Sequence, residues 1–233
     1  MAWFKSLGYG NSGGGGEPDT RLKEFIEDTL EEIDDSTITS IRNEAFNTSS
    51  IKRVHLPNVI NVGYHAFFYA QSLVSVELEN AENVGTNSGQ TFYSCKKLET
   101  VYIPKVTSLP QQTFYECSSL KTFDTTNITS IASGAFVKCG FEVFDLKNTL
   151  TIPMSMFYQC SNLTVLILRG NSMSTLANTN AFGNTPFENN SKQGTLYVPQ
   201  NLITTYQNNS TWSSIISRNN QILAIEGSPY ENV

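Results

Sequence analysis

LKTFDTTNITSIASGAF, residues 120–136, decides the fold, because it matches LEEIDDSTITSIRNEAF, residues 30–46, without a gap. The two stretches share every apolar position: a Leu, an apolar residue three places later, Ile-x-x-Ile, and a closing Ala-Phe. Agreement of this kind between distant stretches indicates an internal repeat. A repeat determines the architecture of the whole chain, so its period has to be established first.

Each unit ends in a phenylalanine, and the spacing of these phenylalanines gives the period. Successive ones lie 21 to 25 residues apart, and the two longest units carry extra Gly, Asn and Ser residues at Val84–Gly89 and Arg169–Ser172. A period of about 20–29 residues is typical of leucine-rich repeats, whose coils bury their apolar faces only by stacking. The marker residues are Phe25, Phe46, Phe67, Phe92, Phe114, Phe136, Phe157 and Phe182.

Each unit also contains a short segment with the alternation of a half-buried strand. Val101–Pro104 is an example, and Val54–Pro57 and Leu196–Pro199 repeat it. The proline ends the strand because it cannot donate a ladder hydrogen bond. A second extended segment, such as Ile128–Ile131, is expected on the opposite side of each coil. The pattern predicts a right-handed leucine-rich-repeat solenoid of about eight coils with a parallel β-sheet face, its strands centred near residues 32, 54, 76, 101, 123, 144, 166 and 197.

The repeat resembles the leucine-rich repeats of the bacterial surface-antigen (BspA-like) family. Its most specific piece is Ala/Thr-Phe-x-x-Cys-x-x-Leu-x-x-Val-x-Leu-Pro, which is clearest at Phe92–Pro104. The resemblance extends roughly from Leu30 to Ile225. It implies a role in adhesion, and similar units occur in bacterial surface proteins and in phage or prophage proteins of gut bacteria. It implies no ligand site, because the family has none that can be transferred residue by residue.

The chain divides into four predicted segments. Residues 1–16 form a Gly-rich arm, residues 17–29 a short N-terminal capping helix, residues 30–199 the solenoid, and residues 200–233 a non-repeat C-terminal cap and tail. A helical stripe continues past the capping helix through Leu30 and Ile33, but the repeat register assigns these two residues to the first strand. Trp212 is expected to anchor the C-terminal cap, because the open end of a stack needs a cover.

The arm has two possible interpretations. Gly13–Gly16 is flexible by composition, and Trp3, Phe4, Leu7 and Tyr9 precede it as a short aromatic and apolar group. One interpretation is a disordered start. The other is a docking arm that attaches the solenoid to a larger assembly, because aromatic side chains dominate interface energies.

The reactive side chains do not form a recognisable catalytic, cofactor or metal site. The cysteines recur at one position of the repeat, so they predict a column of buried thiols rather than a zinc cluster. His55 and His65 are expected at the surface, and neither lies in a nucleophile motif. The sequence therefore predicts no enzyme, no cofactor and no metal. The cysteines are Cys95, Cys117, Cys139 and Cys160.

Composition limits the possible partners. Charged residues make up 15% of the chain, and the formal net charge is −6. The sequence has no dense basic patch, which argues against a nucleic-acid partner. No apolar run approaches the roughly 20 residues that span a bilayer. The N-terminal residues do not resemble a secretory signal. The favoured location is extracellular, on a cell surface or on a virion, reached without a recognisable signal peptide.

The register also predicts which side chains point outward from the main sheet. One outward column includes Glu32, Arg53 and Thr122, and the next includes Asp34, His55 and Glu77. Towards the C-terminus the outward positions become apolar, which is typical of a contact surface. The alternative is that the C-terminal cap or the loop around Phe187 covers them. The candidate contact residues are Tyr102, Val143, Val165, Ile167 and Tyr197.

These observations predict a non-catalytic recognition or adhesion module. Its solenoid surface would face a protein or glycan receptor, and its arm would tether it to a bacterial surface or a phage virion. The alternative is a structural or decoration subunit of a virion or other assembly, with no ligand of its own.

Overall fold

The computed structural model describes residues 31–85, 89–148, 150–188, 193–216 and 220–233. These ranges consist mainly of short strands joined by tight turns, and every strand pair among them is parallel. In chain order the strands are β1 Glu32–Asp34, β2 Ser40–Ile41, β3 Arg53–His55, β4 Asn61–Val62, β5 Ser75–Glu77, β6 Asn83–Val84, β7 Thr100–Tyr102, β8 Ser108–Leu109, β9 Ser130–Ile131, β10 Val143–Leu146, β11 Thr151–Ile152, β12 Val165–Leu168, β13 Thr175–Leu176, β14 Thr195–Val198 and β15 Gln221–Ala224.

The main face is made of two four-stranded parallel sheets. The first has the order β1-β3-β5-β7 and the second β10-β12-β14-β15. Ile33, Val54, Val76 and Val101 are register partners across the first sheet, so equivalent positions of the repeat stand side by side. The leucine-rich-repeat solenoid predicted from the period is thereby confirmed, and so is the register of both outward columns within each sheet.

Two-residue strands line the opposite side of the solenoid. They pair as β2-β4-β6, β8-β9 and β11-β13. Each contributes one apolar side chain to the core, as Ile41 and Val62 do, while the preceding Ser40 or Asn61 remains accessible. The core therefore lies between a longer-stranded face and a shorter-stranded one, and it runs the length of the stack.

The strand expected near residue 123 is absent, and this prediction is wrong. Asp124 accepts hydrogen bonds from the N–H of Thr126 (2.9 Å) and from its hydroxyl (2.6 Å), which starts a turn where a strand would continue. Thr125 then uses its hydroxyl in place of the backbone ladder: the O–H donates to the carbonyl of Asp145, and the hydroxyl oxygen accepts from the N–H of Lys147. Residues 121–125 thus separate the two main sheets.

The C-terminal cap contributes more than a cover. Its last strand, β15, pairs with β14 and continues the second sheet. Two short helices precede it, α1 Ile203–Asn208 and α2 Ser210–Ile216. Their buried side chains include Tyr206 and Trp212, which pack on the core at the end of the stack. The cap is therefore both a helical cover and an additional strand.

The marker phenylalanines of the described residues form one continuous stack, which we call the phenylalanine spine. Each ring is at most 2% exposed, and each lies 5.0 to 6.2 Å from the next, with planes inclined by 3 to 19°. Parallel rings at this separation add a specific attraction to the burial of their area. The spine consists of Phe46, Phe67, Phe92, Phe114, Phe136, Phe157 and Phe182.

The four cysteines are free and buried, as the repeat predicts. Each thiol donates a hydrogen bond to the carbonyl of a spine phenylalanine in the preceding coil; Cys117 bonds Phe92 at 3.1 Å and Cys160 bonds Phe136 at 3.0 Å. Burial raises the pKa of the Cys160 thiol to about 12 and that of Cys117 well above its usual value. The thiols therefore link coils and remain protonated, which makes them poor nucleophiles.

The turns that carry the spine rings from Phe46 to Phe157 use left-handed backbone two residues before and two residues after the ring, whereas Phe182 ends a 3-10 helix and is followed by left-handed backbone only at Asn184. His65 (φ 53°) and Tyr69 (φ 56°) flank Phe67 in this way. Such angles cost a non-glycine residue of the order of 1–2 kcal/mol. These angles direct every second N–H group of the turn towards the next coil. Phe67 therefore donates to the carbonyl of Thr91, and Tyr69 donates to that of Tyr93. Hydrogen bonds between coils thus stabilise the turn conformation.

The proposed arm, the capping helix and Phe25 lie outside the described residues. Among the helices of the described ranges, none is long and apolar enough to cross a membrane.

Candidate functional site

The five predicted contact residues do not form one exposed patch. Tyr102 is 51% exposed and Val143 is 36% exposed, while Val165 is half-buried. Ile167 is only 1% exposed although it points away from the core. Tyr197 is half-buried, with its ring 5.0 Å from that of Tyr230. The accessible part of the predicted surface is therefore Tyr102, Val143 and Val165.

The C-terminal tail covers the remainder. Arg169 donates to the carbonyl of Tyr230 at 2.6 Å, and Lys147 donates to that of Val233 at 3.1 Å. Both cations also bind Asp145, at 2.9 Å for Arg169 and 2.8 Å for Lys147. Arg169 and Lys147 thus hold the tail at the second sheet, and Ile167 has little exposed surface for a partner to contact.

A groove opens on the outward face where the two sheets are interrupted. Its floor includes Val101 and Phe123, which are half-buried, whereas most of the equivalent inward side chains of neighbouring strands, such as Val76 and Phe144, are buried. The groove consists of two adjoining depressions that share Val101 and Phe123: Tyr102 lines one of them, and Asp145 and Val233 line the other. Other lining residues are Thr100, Thr122, Asp124, Thr125 and Lys147.

The groove combines an apolar floor with a polar rim. Thr100 and Thr122 are exposed on the rim and can donate or accept hydrogen bonds. Asp145 is engaged by Arg169 and Lys147, so its charge is locally neutralised. Neither histidine lies among the lining residues, and the thiols are buried elsewhere. An apolar floor with a few polar groups around it is typical of a binding site.

The two histidines lie in different surroundings. The Nδ1 atom of His55 lies 2.9 Å from Asp34, and Nε2 lies 3.0 Å from Glu79. Desolvation lowers the pKa of His55, but its hydrogen bonds to Glu79 and Asp34 prevail and raise it. His65 is half-buried and contacts Gln90 at 2.6 Å. Within the described ranges, the metal-binding side chains that come together are His55, Glu77 and Glu79.

Comparison with known families gives a match over most of the solenoid. Six copies of the BspA-type leucine-rich repeat region match, over residues 39–164 and 88–209. Together these matches run from residue 39 to residue 209, which is more than half of the 233 residues. The chain belongs to the BspA-type leucine-rich repeat family. The resemblance inferred from the repeat is therefore confirmed. No curated protein is similar enough to the chain to count as a match.

The BspA-type repeats define the general function of the chain as a protein-binding or adhesion-type module, in a family that is generally non-catalytic.

The structure also contains an aromatic ladder that the sequence analysis did not anticipate. The residue after the spine ring is Phe68, Tyr93 and Tyr115 in successive repeats, and these rings stack at 5.1 and 4.5 Å. The missed signal was the aromatic residue at the same repeat position in three consecutive units.

This ladder presents ring edges rather than ring faces. Tyr93 and Tyr115 are inclined by only 2°, so each face is covered by the neighbouring ring. Lys138 lies 5.8 Å from the centre of the Tyr115 ring at one end and pairs with Glu116 at 2.6 Å. The ring faces of the ladder are thus largely covered by neighbouring rings and by Lys138. The groove is therefore the better candidate for a partner site.

Proposed function

We propose that the protein is a recognition or adhesion module that holds an extended segment of a protein or glycan receptor in the groove between its two main sheets. The observation that supports this most is the partial exposure of Val101 and Phe123 beside the 51% exposed ring of Tyr102. Aromatic rings beside desolvated apolar surface are the usual centres of binding energy.

The rim chemistry fits either receptor class. The hydroxyls of Thr100 and Thr122 can bond the backbone of a peptide or the hydroxyls of a sugar. The Tyr102 ring offers a flat apolar surface with a polar tip, which suits both partners. The chain's formal net charge of −6 favours a neutral or basic receptor over an acidic one.

We place this module on a bacterial surface or a phage virion, attached through residues 1–16. Support for the attachment comes from composition: Trp3, Phe4, Leu7 and Tyr9 precede the Gly13–Gly16 linker. An arm of this kind can order itself by inserting a few aromatic side chains into a partner.

Tyr102→Ala should weaken receptor binding at least about tenfold, which corresponds to roughly 1.4 kcal/mol. Binding is measured on a glycan array and on a panel of immobilised cell-surface proteins, with the full chain. Tyr69→Ala is the matched control, because Tyr69 is 40% exposed but lies in a turn outside the groove. Loss of binding in the Tyr69 variant, with retention in the Tyr102 variant, would move the receptor site to the turn edge.

Deleting residues 1–16 should leave the melting temperature nearly unchanged and abolish association with the larger assembly. The repeat register needs nothing before Phe25, so the solenoid should fold without the arm. Thermal melting and co-sedimentation with the assembly test the two halves of this expectation. Unfolding of the shortened chain would instead make the arm part of the N-terminal cap. If the intact chain joins the assembly but binds no receptor, a role as a decoration subunit would be favoured.

A further inference from the structure

A cluster of metal-ligating side chains lies on the outward face of the first sheet, where Glu77 is the register partner of Tyr102 at the groove. His55 of β3 lies between its register partners Asp34 of β1 and Glu77 of β5, and Glu79 follows β5. One ligand atom each from His55, Glu77 and Glu79 lies within 4.8 Å of the others. Ligands of one zinc ion are at most about 4.4 Å apart, since each bond is about 2.0–2.2 Å. Small side-chain rotations would therefore bring the three atoms to one ion.

The imidazole of His55 is already oriented for this role. Its Nδ1 atom lies 2.9 Å from the Asp34 carboxylate, and its Nε2 atom lies 3.0 Å from the Glu79 carboxylate. In the neutral tautomer with the proton on Nδ1, that N–H donates to Asp34 and the Nε2 lone pair faces Glu79. A histidine that donates one ring N–H to a carboxylate and binds a metal with the other nitrogen is the usual arrangement at metal sites.

The negative charges of the two glutamates are not fully compensated by their surroundings. The Oε2 atom of Glu79 is buried and has no hydrogen-bond partner, which is unfavourable for a carboxylate oxygen. Among the ion pairs of the described residues, none joins Glu77 or Glu79 to a lysine or an arginine. Three carboxylates thus surround a single imidazole. A divalent cation would neutralise them and supply the missing partner of Oε2.

We propose that this cluster binds a transition-metal dication of the zinc type. His55 Nε2 and one oxygen each from Glu77 and Glu79 are the ligands, water completes the coordination, and Asp34 is the positioning residue. The imidazole favours zinc over calcium and magnesium, which bind mainly through oxygen. Because the ligands come from adjacent coils, the ion would join β3 to the end of β5.

The test is a calorimetric titration of the untagged full chain with Zn²⁺. One ion should bind per chain, and bound ion should raise the melting temperature, since a ligand that binds only the folded state stabilises it. His55→Ala and Glu79→Gln should each weaken binding at least about tenfold. His65→Ala is the matched control and should bind as wild type. Equal zinc affinity in wild type and His55→Ala, or no uptake of one equivalent by wild type, would overturn the proposal.

Two further measurements separate this cluster from other metal sites. Asp34→Asn retains all three ligands and should weaken binding by about tenfold, at the low end of the range for residues that orient a ligand. The same variants melted in the presence of EDTA report whether each folds normally. Co²⁺ in place of Zn²⁺ should give a visible spectrum without the thiolate charge-transfer band. A thiolate band in the folded protein would assign the metal to the cysteines and contradict the proposal.

Discussion

Phe114→Ala is expected to lower the free energy of unfolding by about 3–5 kcal/mol, the usual range for removing a buried phenylalanine from a core. The ring is fully buried and stacks on Phe92 at 5.2 Å and on Phe136 at 5.6 Å. Both neighbours lose a stacking partner, and the cavity lies in the middle of the spine. Urea unfolding followed by circular dichroism measures the change.

Phe123→Ala is the control for this variant. Its ring also contacts Phe114, at 5.3 Å, but it is only half-buried at the groove. The smaller area that it buries predicts a smaller loss of stability. Because each coil is stabilised mainly by its neighbours, hydrogen exchange in the Phe114 variant should quicken in the coils of Phe92 and Phe136 as well. Equal losses in the two variants would show that the spine has no special role.

The second large effect is expected at the cap. Trp212→Ala should reduce the free energy of unfolding by about 3–5 kcal/mol, because the indole is 1% exposed at the end of the stack. Its Nε1–H donates to the carbonyl of Ser174 at 2.8 Å, and the hydroxyl of Tyr206 accepts from the N–H of the same serine at 2.8 Å. The variant leaves that buried carbonyl without its partner.

Trp212→Phe separates packing from hydrogen bonding. It retains most of the apolar ring but cannot bond the Ser174 carbonyl, so its stability should fall between that of wild type and of Trp212→Ala. Loosening of the cap should also expose the end of the stack, which size-exclusion chromatography would detect as self-association. A Trp212→Ala variant that melts like wild type would mean that α1 and α2 do not stabilise the solenoid.

The period was sufficient to predict most of the fold. It placed Ile33, Val54 and Val76 as inward partners and their neighbours as outward columns, because parallel coils of nearly constant length stack equivalent positions. It also placed Asp34, His55 and Glu77 in one outward column. It did not point to a metal cluster, because Glu79 lies two residues beyond β5, outside the repeating alternation.

The features that sequence reasoning missed depend on local hydrogen bonding and on non-repeating segments. The apolar pattern at Phe123 is intact, yet the side chains of Asp124 and Thr125 replace the strand ladder, and this opens the groove. The tail breaks the period, so its contacts to Arg169 and Lys147 could not be inferred from the register.

The links between coils have a consequence for inheritance. Each Cys thiol bonds the carbonyl of a spine phenylalanine in the coil before it, and the N–H groups of the spine phenylalanines from Phe46 to Phe157 bond carbonyls in the coil after them. Neighbouring coils in this part of the stack therefore meet through the same set of bonds. Unequal recombination between repeats could add or remove one whole unit and leave both new junctions correctly bonded. A gene of this kind can change the length of the encoded solenoid in steps of one coil, while the residues at a binding groove vary independently.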